Sequence, residues 1–230
     1  MIMRAALILF FLASHGLNAQ SPTTGKTSEP GAATVTFQFD WPAFTPQQYS
    51  LTVKSDGSTH YSSSSPQPVK GQEEASDEDY QLDFILSPAT RDSIFKLAAQ
   101  AGYFNGDFEF HKHAVAHTGK KTLAYSDGSR SYQTTFNYSE NAAVDRLAHI
   151  FMGISTTLQH GRKLQFLRRF DKLGLEAALK SAEQDAESDD LVELQLIAPL
   201  LESIAGDKSI LHIARQRAER LLSKSRAPSH

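Results

Sequence analysis

From Val35 to Ser139 apolar residues recur mainly at every second position, and from Glu140 onward they recur at helical spacing. Tyr49, Leu51 and Val53 alternate with polar residues, as do Leu123 and Tyr125, which is the signature of half-buried antiparallel strands. Each pair of strands turns on the same heptapeptide, Ser-Asp-Gly-Ser-x-x-Tyr, once at Ser55 to Tyr61 and once at Ser126 to Tyr132. Asp-Gly suits a tight hairpin because glycine adopts positive φ without steric penalty, so Gly57 and Gly128 are placed at the turns. Tyr80, Leu82, Phe84 and Leu86 alternate as a further strand, and Tyr132, Thr134, Phe136 and Tyr138 as another. Each hairpin is followed, directly or after an extra strand, by a helix. The first is capped by Ser87 with Pro88 at its first position, carries Ile94, Phe95, Leu97 and Ala98, and ends at Gly102. The second is capped by Ser139 and carries Val144, Leu147, Ile150, Phe151, Ile154 and Leu158.

Further helices follow. Leu164, Leu167, Phe170, Leu173, Leu175, Ala178 and Leu179 form one apolar face with a break at Gly174. Asp185 to Asp190 reads as an acidic connection, after which Leu194, Ile197, Leu201 and Ile204 face inward. Pro199 kinks or divides that helix, Gly206 closes it, and Asp207 caps a last one with Ile210, Ile213, Ala214, Leu221 and Leu222 as its stripe. Runs of strands followed by runs of helices predict an α+β fold: an antiparallel sheet with helices packed on one face, followed by a C-terminal helical hairpin or small bundle. Residues 34–159 are assigned to the α+β domain and 160–230 to the helical region.

The N-terminus is of a different kind. Arg4, the apolar run Ala5 to Ala13 and Leu17-Asn18-Ala19 form the pattern of a signal peptide over residues 1–19, which predicts secreted or periplasmic localisation after cleavage. Residues 20–33, with Pro22, Gly25, Pro30 and Gly31 among Ser and Thr, read as a flexible linker. No later apolar run has the length of a transmembrane span, so none is expected in the mature chain. The chain has no cysteine, which leaves its core alone to stabilise it. A formal net charge of −3 argues against nucleic-acid binding over the whole surface.

Candidate chemistry is sparse. His111, His113 and His117 share parity and would project on one face of an unbroken strand, where imidazoles can hold zinc or copper; Asp107 and Glu109 lie nearby. No further ligand is fixed by a recognised spacing, and Lys112, Lys120 and Lys121 make the neighbourhood positive, so an exposed loop with merely polar histidines is favoured over a metal site. Asp56 and Asp127 are read as turn residues, since a calcium loop needs further oxygen ligands at set spacing. There is no Gly-x-Ser-x-Gly elbow, His-Glu-x-x-His pair, phosphate-binding glycine loop or cysteine nucleophile, so no catalytic residue and no cofactor site is assigned. Ser62 to Asp79, with four consecutive serines and then Glu73, Glu74, Asp77, Glu78 and Asp79, reads as a surface loop. Asn137-Tyr138-Ser139 fits a glycosylation triplet but sits where strand gives way to helix cap. Two basic groups, Arg162, Lys163, Arg168 and Arg169, and Arg215, Arg217, Arg220, Lys224 and Arg226, are read as solvated helix faces.

The succession of leader, Asp-Gly hairpin, strand, Phe-x-x-Leu helix ending Gly102-Tyr103-Phe104, and second Asp-Gly hairpin resembles small secreted bacterial domains of unknown function. The resemblance covers Tyr49 to Leu158 and implies no catalytic residue. The expected function is an exported, non-enzymatic binding or scaffold module whose partner is a protein or another ligand and not nucleic acid. The alternative is a metal-binding protein or metal-dependent hydrolase using His111, His113 and His117. An inhibitor-like domain with Ser62 to Asp79 as its contact is a third reading.

Overall fold

The computed structural model describes residues 32–65 and 79–226. The leader, nearly all of residues 20–33 and the acidic run 73–78 lie outside them. Six strands form one antiparallel sheet: β1 (Thr34–Asp40), β2 (Gln48–Lys54), β3 (Ser58–Ser64), β4 (Tyr80–Ile85), β5 (Lys120–Ser126) and β6 (Ser131–Phe136), in the order β4-β3-β2-β1-β5-β6. The strand nearest the N-terminus is central, with Phe37 opposite Leu51 on one side and Leu123 on the other. Both Asp-Gly turns have the expected geometry, with φ of +90° at Gly57 and +82° at Gly128. The four serines extend β3 as far as Ser64, pairing Ser62 with Gln81, so the loop expected from Ser62 begins later.

One face of the sheet is covered. Val35, Phe37 and Phe39, with Tyr49, Leu51 and Val53, point toward α1 (Pro88–Gln100) and α2 (Ala142–Phe170) and are buried. Phe37 stacks flat on Phe151 of α2 at 5.2 Å between ring centroids. Ser87 caps α1 as expected, accepting from the Thr90 N–H. The cap of α2 is Asn141 rather than Ser139, because Asn141 Oδ1 accepts from both Ala143 and Val144 while Ser139 only supports Asn141.

At 29 residues α2 is about 44 Å long. Its first half packs on the sheet and its second half enters another core, made with α3 (Leu175–Glu187), α4 (Ala198–Gly206) and α5 (His212–Ser225). Between α3 and α4 the chain lies directly against α2. A Cβ on Gly153 would come within 2.6 Å of Val192 Cγ2, and one on Gly161 within 2.6 Å of Ile197 Cγ2, so both glycines permit a close approach. Thr157 Oγ1 donates to the Val192 carbonyl at 2.8 Å across the same seam. The most pronounced link is Glu193, buried and left-handed at φ +61°. Its carboxylate accepts from the Ser87 N–H at 3.0 Å and hydroxyl at 2.6 Å, and from Gln195 Nε2 at 2.6 Å, fastening the helical half to the start of α1.

Several helical expectations need correction. The acidic connection starts later than expected, because α3 continues through Glu187. Pro199 stands in the first turn of α4, where its missing N–H removes no bond, so it divides the pattern. Asp207 ends α4 and binds Ser209 rather than capping α5. Phe170, Leu173 and Ile213 are not core residues but 64%, 75% and 49% exposed. The apolar spacing runs on through a turn, since α2 stops at Phe170 and α3 begins only at Leu175.

A buried tyrosine sets an alkaline limit. Burial, reinforced by Tyr61, raises the Tyr49 phenol well above its usual pKa against an opposing Ser155 hydrogen bond. The unfolded phenol ionises near pH 10, so above that pH the unfolded state sheds a proton that the folded state retains, and stability falls. Buried Lys121, whose pKa is lowered by desolvation, acts in the opposite sense and is common to both proteins in the comparison. Melting temperature followed from pH 8 to 11 is expected to decline less steeply in Tyr49→Phe than in the parent.

Candidate functional site

The second face of the sheet is built from the polar half of the strand alternation. It carries Thr34, Thr36 and Gln38 of β1, Ser50 and Thr52 of β2, Ser62 and Ser64 of β3, and Thr122 and Thr135 of β5 and β6. Among the described residues no helix lies over it; its side chains are exposed or half-buried. Hydroxyls pair across strands, Thr36 with Thr52 at 3.3 Å, Ser50 with Ser62 at 2.9 Å and Thr122 with Thr135 at 3.0 Å. Either member of each pair can donate, so the array accepts or offers hydrogen bonds according to what meets it. Charges sit toward the margins: Asp40 at the end of β1, Lys54 at the end of β2, Lys120 at the start of β5, and the His60–Asp83 pair at 2.7 Å near the β4 edge.

At the β1–β4 end this face opens into a cleft of about 450 Å3. The amides of Gln38, Gln48 and Gln81 and the hydroxyls of Ser50, Ser62 and Ser64 line it, with Asp40 and Asp79 at its rim. Tyr49 and Tyr80 contribute from the covered side. Ser63 Oγ, buried at the same end, has no hydrogen-bond partner among the described residues. Of these, the sequence points only to Ser62, Ser63, Ser64 and Asp79, as parts of the contact loop of the inhibitor-like reading; the glutamines and the strand hydroxyls of β1 and β2 carry no such mark. Their signal was present in the kind of polar residue that filled the alternation: Ser, Thr and Gln, where an ordinary solvated face carries Lys and Glu.

The three histidines lie in an irregular segment, as the favoured loop reading expects. The segment from Asp107 to Gly119 is not a strand, so shared parity does not put His111, His113 and His117 on one face. His111 Nε2 meets Asp107 Oδ2 at 2.9 Å, the His113 ring packs edge-on against Phe110 at 4.7 Å, and His117 Nδ1 accepts from the Gly119 N–H at 3.1 Å. Among the described residues no group of three or more metal-ligating side chains is gathered. The loop is held by other residues: Asn137 Oδ1 accepts from the Thr118 N–H, Asn137 Nδ2 donates to the Ala116 carbonyl, and Lys121 Nζ donates to Thr118, Gly119 and Asn137. Asn137 is therefore engaged in structure, as its position at the strand end suggested.

The turn aspartates are likewise occupied. Asp56 accepts from the Ser58 N–H at 2.8 Å. Asp127 holds Arg130 by two nitrogens and also binds Ser129, which together keep its carboxyl far below the usual range. The basic face of α5 is largely consumed between helices. Arg217 pairs with Glu176 and Glu183, Arg220 with Glu183, and Arg226 with Glu202. Burial alone would raise the Glu183 pKa, but Arg220 and Arg217 outweigh it and hold the group below its ordinary value. Among the described residues no helix is long and apolar enough to cross a membrane. No protein-family model and no curated protein matches the sequence.

Proposed function

We propose that the protein is an exported, non-enzymatic binding module that presents the open face of its sheet to an uncharged, hydroxyl-rich ligand, a neutral glycan. The observation that carries this reading is the hydroxyl and amide paving of that face and its cleft, set against an opposite side covered by α1 and α2. An apolar partner would meet few apolar atoms there, whereas the centres of protein interfaces are typically enriched in aromatic and apolar groups. A polyanion would meet no run of cations. Sugar hydroxyls, which both donate and accept, match side chains whose own roles are interchangeable, and the glutamine amides add fixed donor and acceptor pairs.

The exposed amides give the test. Retention on a column of immobilised N-acetylglucosamine hexamer is expected for the parent chain and is expected to fall at least tenfold in Gln38→Ala/Gln48→Ala, with melting temperature unchanged because both side chains are solvent-exposed. Equal retention of parent and variant, or none of the parent on that glycan and on a glucose hexamer, would refute the proposal.

A further inference from the structure

The corner where α2 gives way to α3 exposes apolar side chains that the hydrophobic pattern assigned to the core. Phe170 is 64% exposed and Leu173 75%. Lys172, between them, reaches across to Asp207 at 3.3 Å and to Ser209 Oγ at 2.5 Å, which brings the α4–α5 turn and its exposed Leu211 to the same corner. These tips are set among cations. Arg168, Arg169 and Lys172 share a cleft of about 330 Å3 with Asp207. The Arg169 guanidinium lies over the Phe170 ring at 5.0 Å, and Lys208 is exposed in the adjoining turn. Two carboxylates near the corner are engaged locally: exposed Asp171 accepts from the Leu173 and Gly174 N–H groups, and Asp207 is held by Ser209 and Lys172. Unlike Arg217 and Arg220 of α5, Arg168 and Arg169 make no ion pair with a carboxylate among the described residues.

We propose that this corner docks on an anionic lipid surface, with Phe170, Leu173 and Leu211 entering the headgroup layer and Arg168, Arg169 and Lys208 meeting the lipid charges. Apolar tips ringed by cations match the interfacial pattern in which buried apolar area and attraction to anionic lipid add. The complementarity is local, since the whole chain carries a net charge of −3 and would otherwise be repelled. A single-stranded nucleic acid is less well matched, because it needs several exposed stacking rings along a basic track, and here the exposed Phe170 ring is tilted against half-buried Phe166, 4.9 Å away, among aliphatic side chains. The surface is separate from the open sheet face.

The test uses the chain from Gln20 onward, which retains every described element and lacks the apolar leader run. Vesicle flotation with phosphatidylcholine alone and with 30% phosphatidylglycerol should show binding to the anionic vesicles only. Arg168→Glu/Arg169→Glu and Phe170→Ser/Leu173→Ser are each expected to weaken it by about tenfold or more, as two contributors are lost in each case. Unchanged circular dichroism keeps the comparison interpretable, since all four side chains lie at or near the surface. Absence of vesicle binding, equal binding to neutral vesicles, or insensitivity to both variants overturns the proposal. So does finding that Phe170→Ser/Leu173→Ser abolishes self-association, or binding to an oligonucleotide, while leaving vesicle binding intact.

Discussion

Replacing Phe151 with alanine is expected to lower the free energy of unfolding by about 3–5 kcal/mol, the range for truncating a fully buried phenylalanine. Phe151 is wholly inaccessible and lies parallel to Phe37, with a 2° angle between ring planes, at the centre of the helix-to-sheet contact. Phe37 itself pairs with Leu51 and Leu123 on the neighbouring strands, so the lost ring leaves a void bounded by an interior strand of the sheet. Collapse into that void is resisted because β1 is hydrogen-bonded on both sides. Urea unfolding followed by far-ultraviolet circular dichroism measures the effect. A lower midpoint with unchanged slope is expected, since the exposed surface on unfolding is the same.

Truncating Glu193 to alanine should cost about 2–4 kcal/mol, although the residue lies outside every helix and strand core. Its carboxylate makes charge-assisted bonds to Ser87 and Gln195, the stronger class of hydrogen bond, and it stands at the N-terminus of α1 where the helix dipole favours a negative charge. Removing it leaves the Ser87 N–H without that acceptor. The backbone supplies a second, opposing term: at φ +61° an alanine remains strained while a glycine does not. Glu193→Gly is therefore expected to be less destabilising than Glu193→Ala by about 1 kcal/mol. Hydrogen exchange at the first turn of α1 and in residues 190–197 should accelerate together in both variants, because one side chain joins these segments.

The strands and helices were legible because each carries its own period. Tyr49, Leu51 and Val53, or Val144, Leu147 and Phe151, announce a strand or a helix from local spacing alone, and the paired Asp-Gly turns fix where the hairpins reverse. What periodicity could not show was where a stripe stops being buried. Phe170 and Leu173 continue the spacing of α2 yet lie past the point where a neighbouring element covers it. Nor could spacing show Glu193, whose importance depends on a serine more than a hundred positions earlier, or the glycines of α2, which gain meaning only from Val192 and Ile197. The histidines show the converse: parity is informative only within a strand, and theirs is an irregular segment. The open face was half-visible, since the alternation told which residues face away from the core but not that no described helix returns to cover them.

The reading of the open face as a glycan-binding surface is tested most directly by backbone-amide NMR during titration with N-acetylglucosamine hexamer. Saturable shifts are expected to cluster at Gln38, Gln48, Ser50, Ser62 and Gln81, with the amides of α3 and α5 unmoved. Shifts confined to the helical side, or none at millimolar glycan, would contradict it.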